Sequence, residues 1–349
     1  MDAALIAKEM EALIGGNDEQ TTVTHWLDTG YPPLNYALSG RYDGGMPVGR
    51  IVEMFGPPSS GKTAISVEVM KSAQKAGGIA AFMDHERTFD QRLAAMAGLD
   101  VKPGRFIFKT PRTFEESIAI AVKVGQHVRE KKLIDQDAPI AFIFDSLASM
   151  VPKSKMDKGV DEYNMNDTTA LARVTSSVFA AFATHAEELG IMALFLNQQR
   201  TKPGVVYGDP TTTPGGEGPK YYASIRLQLG AKRIKKGDEI IGQEVGCKVV
   251  KNKVARPFQT AAWKFVFQPD GTGKFDTIGS LIDFMAANKL IETSGSRVMW
   301  DGKSMFRSQV AEIIEKEGRL GELIAMLPAH VEPCVEIPEG EEGGWEAAT

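Results

Sequence analysis

The sequence predicts an α/β fold built on a mostly parallel central sheet, with an N-terminal helix and a small C-terminal α/β module. Three observations predict it. Between residues 50 and 196, short apolar runs of strand length alternate with longer segments of helical period. Runs apolar throughout, rather than alternating, suit parallel strands covered on both faces. Beyond residue 220 the strand-like runs crowd together, which adds antiparallel strands at one edge. Composition agrees: 349 residues, 43 % hydrophobic and 24 % charged, exclude collagen, a disordered chain and a disulfide scaffold. The only cysteines, Cys247 and Cys334, are far apart, which fits a reducing, cytoplasmic compartment. No apolar run approaches the ~18 residues of a membrane span.

Residues 1–14 read as a short amphipathic helix, with Leu5, Ile6, Met10 and Leu13 on one side and Gly15-Gly16 ending it. A helix so short needs a docking surface, on its own domain or on a neighbouring subunit. Arg50–Phe55 is the first buried strand and Thr63–Ala76 its helix. Ile79–Met83 is the next strand, followed by a helix around Asp90–Ala97. Phe106–Phe108, the helix Thr113–Lys131 and the strand Ile140–Phe144 come next, then the helix Thr168–Leu189 and the strand Ile191–Leu196. Ala223–Leu229, Glu244–Lys251 and Trp263–Phe267 are the late strands. Asp276 to about Leu327 reads as a separate, mostly helical module with Arg297–Trp300 as a small strand.

These elements divide the chain into an N-terminal segment (1–30), a core (31–268), a small C-terminal domain (269–330) and a tail (331–349). Formal net charge is −5, and the last 18 residues hold six Glu and no Lys or Arg, so the body is near neutral. That does not exclude a nucleic-acid partner, which needs local positive charge. Two long loops stand out, Pro152–Asp167 and the Gly/Pro/Thr-rich Arg200–Lys220. Loops of that length inside a compact domain are uncommon and are usually functional or disordered.

The strongest chemical signal is Gly56-Pro57-Pro58-Ser59-Ser60-Gly61-Lys62-Thr63, a G-x-x-x-x-G-K-[ST] run between a strand and a helix. The glycines turn backbone N–H groups inward around a phosphate, Lys62 reaches its oxygens, and the Thr63 hydroxyl suits Mg²⁺. Asp145, ending a central strand, suits the Mg²⁺ shell; its other common use is as a helix cap. Asp84 and Glu86 both follow the strand Ile79–Met83, and either can orient a hydrolytic water. Asn197-Gln198 ends a strand just before a long loop, where a neutral amide can touch a γ-phosphate or simply close a turn. Lys251 and Lys253 are a pair of cations able to reach a phosphate, or two members of a solvated strand face. Other basic residues flank the loops, including Arg200 and Lys202. The histidines show no metal-ligand spacing.

Several of these runs resemble bacterial RecA and the phage UvsX-type recombinases: GRIVE at 49–53 before GPPSSGKT, DHERTFD at 84–90, Asp145-Ser146, FLNQQR at 195–200, TTTPGG at 211–216, KYYASIRL at 220–227 and KVVKNKVARPF at 248–258. The resemblance runs in order through residues 20–330. It implies a RecA-type P-loop ATPase core and an ATP- and Mg²⁺-dependent recombinase. Such a protein forms a helical filament on single-stranded DNA and exchanges strands with homologous duplex. Carried over motif by motif, Gly56–Thr63 and Asp90 bind nucleotide, Thr63 and Asp145 hold Mg²⁺, Glu86 activates water and Gln198 senses the γ-phosphate. Lys251 and Lys253 reach in from the neighbouring subunit. Arg173, Gln199, Arg200, Lys202, Gly215 and Gly216 lie along the DNA. The N-terminal helix packs on the next protomer with Thr22–Leu27 as an intersubunit strand, and the C-terminal module and acidic tail gate duplex DNA. A single-strand-binding protein and a loader are implied partners, and no membrane is.

The chain departs from the family pattern in places. Leu93 stands where the family stacks a Tyr on the base, Thr168 and Pro203 replace the apolar wedges of the two DNA loops, and Pro214 is an insertion. Two other functions compete. A hexameric helicase of related core would need an added domain, for which no residues remain. A non-catalytic mediator would lose Lys62 or Glu86, and both are present.

Overall fold

The computed structural model describes residue 8 and residues 22–158, 169–201, 211–268 and 272–328. The N-terminal helix expected over 1–14, the tail, and much of both long loops lie outside the described residues.

A nine-stranded sheet organises the molecule. From edge to edge its strands are Gly273–Phe275, Thr260–Phe267, Glu239–Asn252, Ile225–Lys236, Ile51–Gly56, Ile191–Gln198, Ile140–Asp145, Ile79–Asp84 and Phe106–Lys109. The last six are parallel to one another; the first three are antiparallel additions. Chain order alternates strand and helix only through the parallel part, as the sequence pattern requires. The central strands are buried along their whole length, which is why they read as unbroken apolar runs.

Helices cover both faces. Lys62–Lys75 buries Ile65, Val69, Met70 and Ala73 against one face. Phe114–Glu130 and Ala170–Glu188 cover the other, where Phe144 and Phe195 stack with ring centroids 4.3 Å apart and Phe179 and Phe182 meet Phe195 edge-on. Phe114–Glu130 starts at Thr113, whose hydroxyl accepts the Glu116 N–H at 3.1 Å, with Glu115 and Glu116 in its first turn.

Three features bear on the expected divisions of the chain. The sheet runs on to Phe275, so its last strand lies inside the segment assigned to the small C-terminal domain. That domain, with helices Thr277–Ala287, Arg307–Glu317 and Leu320–Ala325 and a three-stranded antiparallel sheet, is not separate: Leu281, Ile282, Met285, Trp300 and Ile314 belong to the same apolar cluster as the core. The Tyr31 hydroxyl and the Thr277 hydroxyl cross-link the two parts through the carbonyls of Ser280 and Gly30. Within Thr22–Leu27, only Trp26–Leu27 is a strand, and it pairs with Met46–Pro47 of its own chain. Among the described residues no helix is long and apolar enough to cross a membrane.

The register positions the site. Gly56 lies opposite Gln198 and Asp84 opposite Asp145, so four parallel strands present their carboxyl ends together. Ligands of open α/β sheets bind in that crevice.

Candidate nucleotide site and nucleic-acid loops

The phosphate-loop motif leaves the strand Ile51–Gly56 and enters the helix at Lys62, with Gly61 in the left-handed region at φ +86°. A Cβ on Gly56 would sit 2.6 Å from the Leu229 carbonyl, so only glycine lets the loop close against the neighbouring strand. The Lys62 ammonium donates to the carbonyls of Gly56 (3.1 Å) and Pro57 (2.8 Å) and to Ser60 Oγ (3.3 Å). Its burial lowers its pKa, opposed by Asp145 and Glu86.

A cavity of about 430 Å³ is lined by Pro58–Thr63, Glu86, Asp145 and Gln198. The structure therefore brings together the phosphate loop, Asp145, Glu86 and Gln198. It also separates Asp84 from Glu86. Asp84 is buried and spent on its own turn, accepting the N–H groups of Arg87, Thr88 and Phe89. Glu86 faces the cavity, and its Oε1 accepts from Gln198 Nε2 (2.9 Å), Ser149 Oγ (3.3 Å) and Ser146 Oγ. Among the described residues no hydrogen bond falls on its Oε2.

Burial, then the charges of Glu86 and Asp84, push the Asp145 carboxyl up to about 7, with Lys62 working the other way. Three carboxylates beside one ammonium leave negative charge that a divalent cation would relieve. Among the described residues no cluster of three or more His, Cys, Asp or Glu could hold a metal. Mg²⁺ binds through one or two protein groups, water and substrate phosphates rather than a protein cage. Thr63 and Asp145, both on the cavity wall, have the chemistry of such groups. A turn of N–H donors closed by glycine, ending at a helix N-terminus beside a lysine, fits a polyphosphate.

A second hollow of about 710 Å³ shares Thr63, Ala64, Thr88, Asp145 and Phe265 with the first and extends past Asp90, Leu93 and Met96. Asp90 caps the helix Gln91–Met96, its Oδ1 accepting from Arg92 N and Leu93 N. Sequence reasoning missed Phe265 and Phe267, which wall the cavity from an antiparallel strand. The signal was there: Trp263, Phe265 and Phe267 alternate onto one face. It also missed Ser146 and Ser149 as partners of Glu86.

Lys251 and Lys253 are not at this cavity. Both donate to the carbonyl at the end of the helix Gly218–Tyr222: Lys251 Nζ to Tyr221 O at 2.9 Å and Lys220 O at 2.5 Å, Lys253 Nζ to Tyr221 O at 3.2 Å. Lys251 pairs across the sheet with Arg226, while the phosphate loop lies beyond Gln228, which pairs with Phe55. Burial, then the charges of Lys253 and Arg226, push the Lys251 ammonium down to about 8. Exposed Tyr221 lies beside the pair.

Arg173, Gly215 and Gly216 lie at one end of the helix Ala170–Glu188. Arg173 is exposed in its first turn. Gly215 and Gly216 both have positive φ, and the Gly215 carbonyl accepts from buried Thr175 Oγ1 at 2.7 Å. A Cβ on Gly216 would lie 2.5 Å from that of Ala172. The pair thus seats the foot of the second loop on the helix. Gln199 donates its N–H to Gly56 O at 3.2 Å, next to the phosphate loop. Arg200 is exposed where Arg200–Thr201 pairs with Thr211–Thr212. Lys202, Thr168 and Pro203 lie outside the described residues.

Comparison with known proteins agrees with this geometry. Residues 7–272 match the family model of the RecA N-terminal domain. The chain is 36 % identical over 286 residues to Protein RecA of Chloroherpeton thalassium, covering 82 % of this chain and 74 % of that protein. It is likewise 36 % identical over 286 residues to Protein RecA of Tropheryma whipplei, of which it spans 61 %.

Proposed function

The chain belongs to the RecA family, and from that membership and its site geometry we propose an ATP-dependent DNA recombinase. It is a DNA-dependent ATPase that uses ATP with Mg²⁺, assembles as a helical filament on single-stranded DNA, and exchanges strands with homologous duplex in recombination and repair. Its place of work is the cytoplasm. The observation that carries this is the single cavity lined by the phosphate loop, Glu86, Asp145 and Gln198.

The residues divide the work as follows. Within Gly56–Thr63 the residues from Ser59 to Thr63 supply N–H groups, and Lys62 its charge, to the phosphates, while Asp90 and the Phe265 wall border the nucleoside end. Thr63 and Asp145 hold Mg²⁺, which neutralises phosphate charge when bound. Glu86 is the acceptor for a proton of the attacking water. Gln198 holds Glu86 Oε1; handing that amide to a γ-phosphate frees an acceptor on the carboxylate and pulls at the strand leading into the second loop. Lys251 and Lys253, remote from their own phosphate loop, serve that of the next subunit. Arg173, Gln199, Arg200, Lys202, Gly215 and Gly216 form the DNA-facing side. The N-terminal helix bridges subunits, and the acidic tail competes with DNA for the basic surface.

The test is joint-molecule formation between single-stranded DNA and homologous duplex, together with ATP turnover with and without DNA. The expected result is DNA-stimulated turnover and joint molecules, both lost in Lys62→Ala. DNA-independent turnover without joint molecules would refute the reading.

A further inference from the structure

The strand Ile51–Gly56 is covered on both faces, yet carries a carboxylate at its centre. The Glu53 side chain is 1 % exposed and pairs with Arg226, 13 % exposed, through Nε to Oε2 at 2.6 Å. Its Oε1 accepts from Asn197 Nδ2 at 2.8 Å. Asn197 is itself fully buried and branches two ways: Nδ2 also donates to the Pro214 carbonyl at 2.9 Å, and Oδ1 accepts the Gln198 N–H at 2.9 Å. Arg226 lies over the Phe55 ring, 4.8 Å from its centroid, and its second nitrogen reaches Thr213 Oγ1 at 3.4 Å. On the adjoining strand Arg226 stands opposite Lys251.

A buried ion pair is a poor way to gain stability, because desolvation offsets much of the attraction and apolar residues would pack as well. This pair does something an apolar pair could not: it bonds at once to the sensor strand and to the foot of a loop, while its arginine stands in register with Lys251 on the next strand. We propose that Glu53, Arg226 and Asn197 form a positioning bracket that joins the two nucleotide seams to which one subunit contributes and fastens the foot of the second DNA loop to both. The inference rests on the roles given above to Gln198, Lys251 and Lys253. Asn197 fixes the backbone at Gln198, which faces the subunit's own nucleotide. Arg226 stands beside Lys251, which faces the neighbour's. Asn197 and Arg226 together hold Pro214 and Thr213, at the loop's end. A shift at the Gln198 or loop end breaks a hydrogen bond within a group that includes a buried charge, and the strand pairing of Arg226 with Lys251 carries such a shift to the third end. The inserted Pro214 supplies the carbonyl that ties the loop in.

The experiment compares single-stranded DNA affinity of the full chain with a non-hydrolysable ATP analogue and with ADP, by anisotropy, in the native protein, Asn197→Ala and Arg226→Lys. Thermal unfolding is recorded for each. The native protein should bind DNA more tightly with the analogue. Both variants should fold and lose at least about ten-fold of that analogue-to-ADP ratio. Arg226→Lys keeps the buried positive charge but cannot span Glu53 and Thr213, so a role in charge balance alone would leave its ratio native. A native ratio in either folded variant overturns the bracket, and Arg226→Lys decides the matter if Asn197→Ala does not fold. If the native protein shows no nucleotide-dependent DNA affinity, the parent reading fails at that step and the bracket falls with it.

Discussion

His85 sits one residue from Glu86 and is held neutral. Its ring Nε2 shares a proton with Ser117 Oγ at 2.6 Å, and burial pushes its pKa down to about 4, against the opposing charges of Asp84 and Glu116. An unfolded chain takes up a proton at this position near pH 6.5, which the fold refuses. Stability from this residue is therefore complete above pH 6.5, declines as pH falls toward 4, and is flat below. The loss is on the order of 2–3 kcal/mol across that window. Denaturant titrations at pH 7, 5.5 and 4.5 should show it, and His85→Gln should flatten that part of the slope. A variant whose acid sensitivity matches the native protein would place the sensitivity elsewhere. Residue roles near this site were partly legible. The phosphate loop was unambiguous from spacing, because glycine, lysine and hydroxyl positions are fixed by the phosphate they surround. The choice between Asp84 and Glu86 was not, because two acids two residues apart look alike until the turn spends one on its own N–H groups. Glu53 was invisible for a related reason: a single acid in an apolar run gives no sign of the arginine 173 positions away that pairs with it.

At the scale of elements, the parallel strands were legible because burial on both faces leaves continuous apolar runs, and helix starts such as Thr113 announce themselves by their caps. The small strands Thr293–Ser294 and Lys303–Phe306 were not, being short and largely exposed. Nor was the merging of the C-terminal module with the core, since the contact of Leu281 and Met285 with distant strands leaves no periodic trace. The seat of the second loop is the element most open to test. Gly216 holds φ +69° against Ala172, so Gly216→Ala meets both backbone strain and a 2.5 Å contact. The cost should be on the order of 1–3 kcal/mol, shared between stability and the loop's position. ATP binding should persist while affinity for single-stranded DNA falls. Calorimetric melting and a DNA titration on the same preparation separate the two effects. Unchanged DNA affinity would detach this glycine from the DNA surface.

At the scale of the whole molecule, the phosphate loop and the lysine pair that the proposed reading assigns to one seam do not meet within a single chain. The phosphate loop, Glu86 and Gln198 line one cavity, while Lys251 and Lys253 lie toward the other end of the strands, capping the helix Gly218–Tyr222 beside exposed Tyr221. A heterologous, head-to-tail contact brings two such parts together and repeats indefinitely if the rotation does not close. Hydrolysis then depends on assembly, with each subunit donating cations to its neighbour. That arrangement predicts complementation between two inactive proteins. Lys62→Ala has a disabled phosphate loop but intact donated lysines; Lys251→Ala has the reverse. Each alone should show almost no DNA-dependent turnover. Mixed in equal amounts before DNA is added, they pair an intact loop with an intact lysine at one seam in four if subunits join at random, so turnover should recover to about a quarter of the native rate. Titrating the ratio should give a maximum at equal amounts. If every mixture stays as inactive as its parents, Lys251 acts within its own chain and the shared seam is wrong.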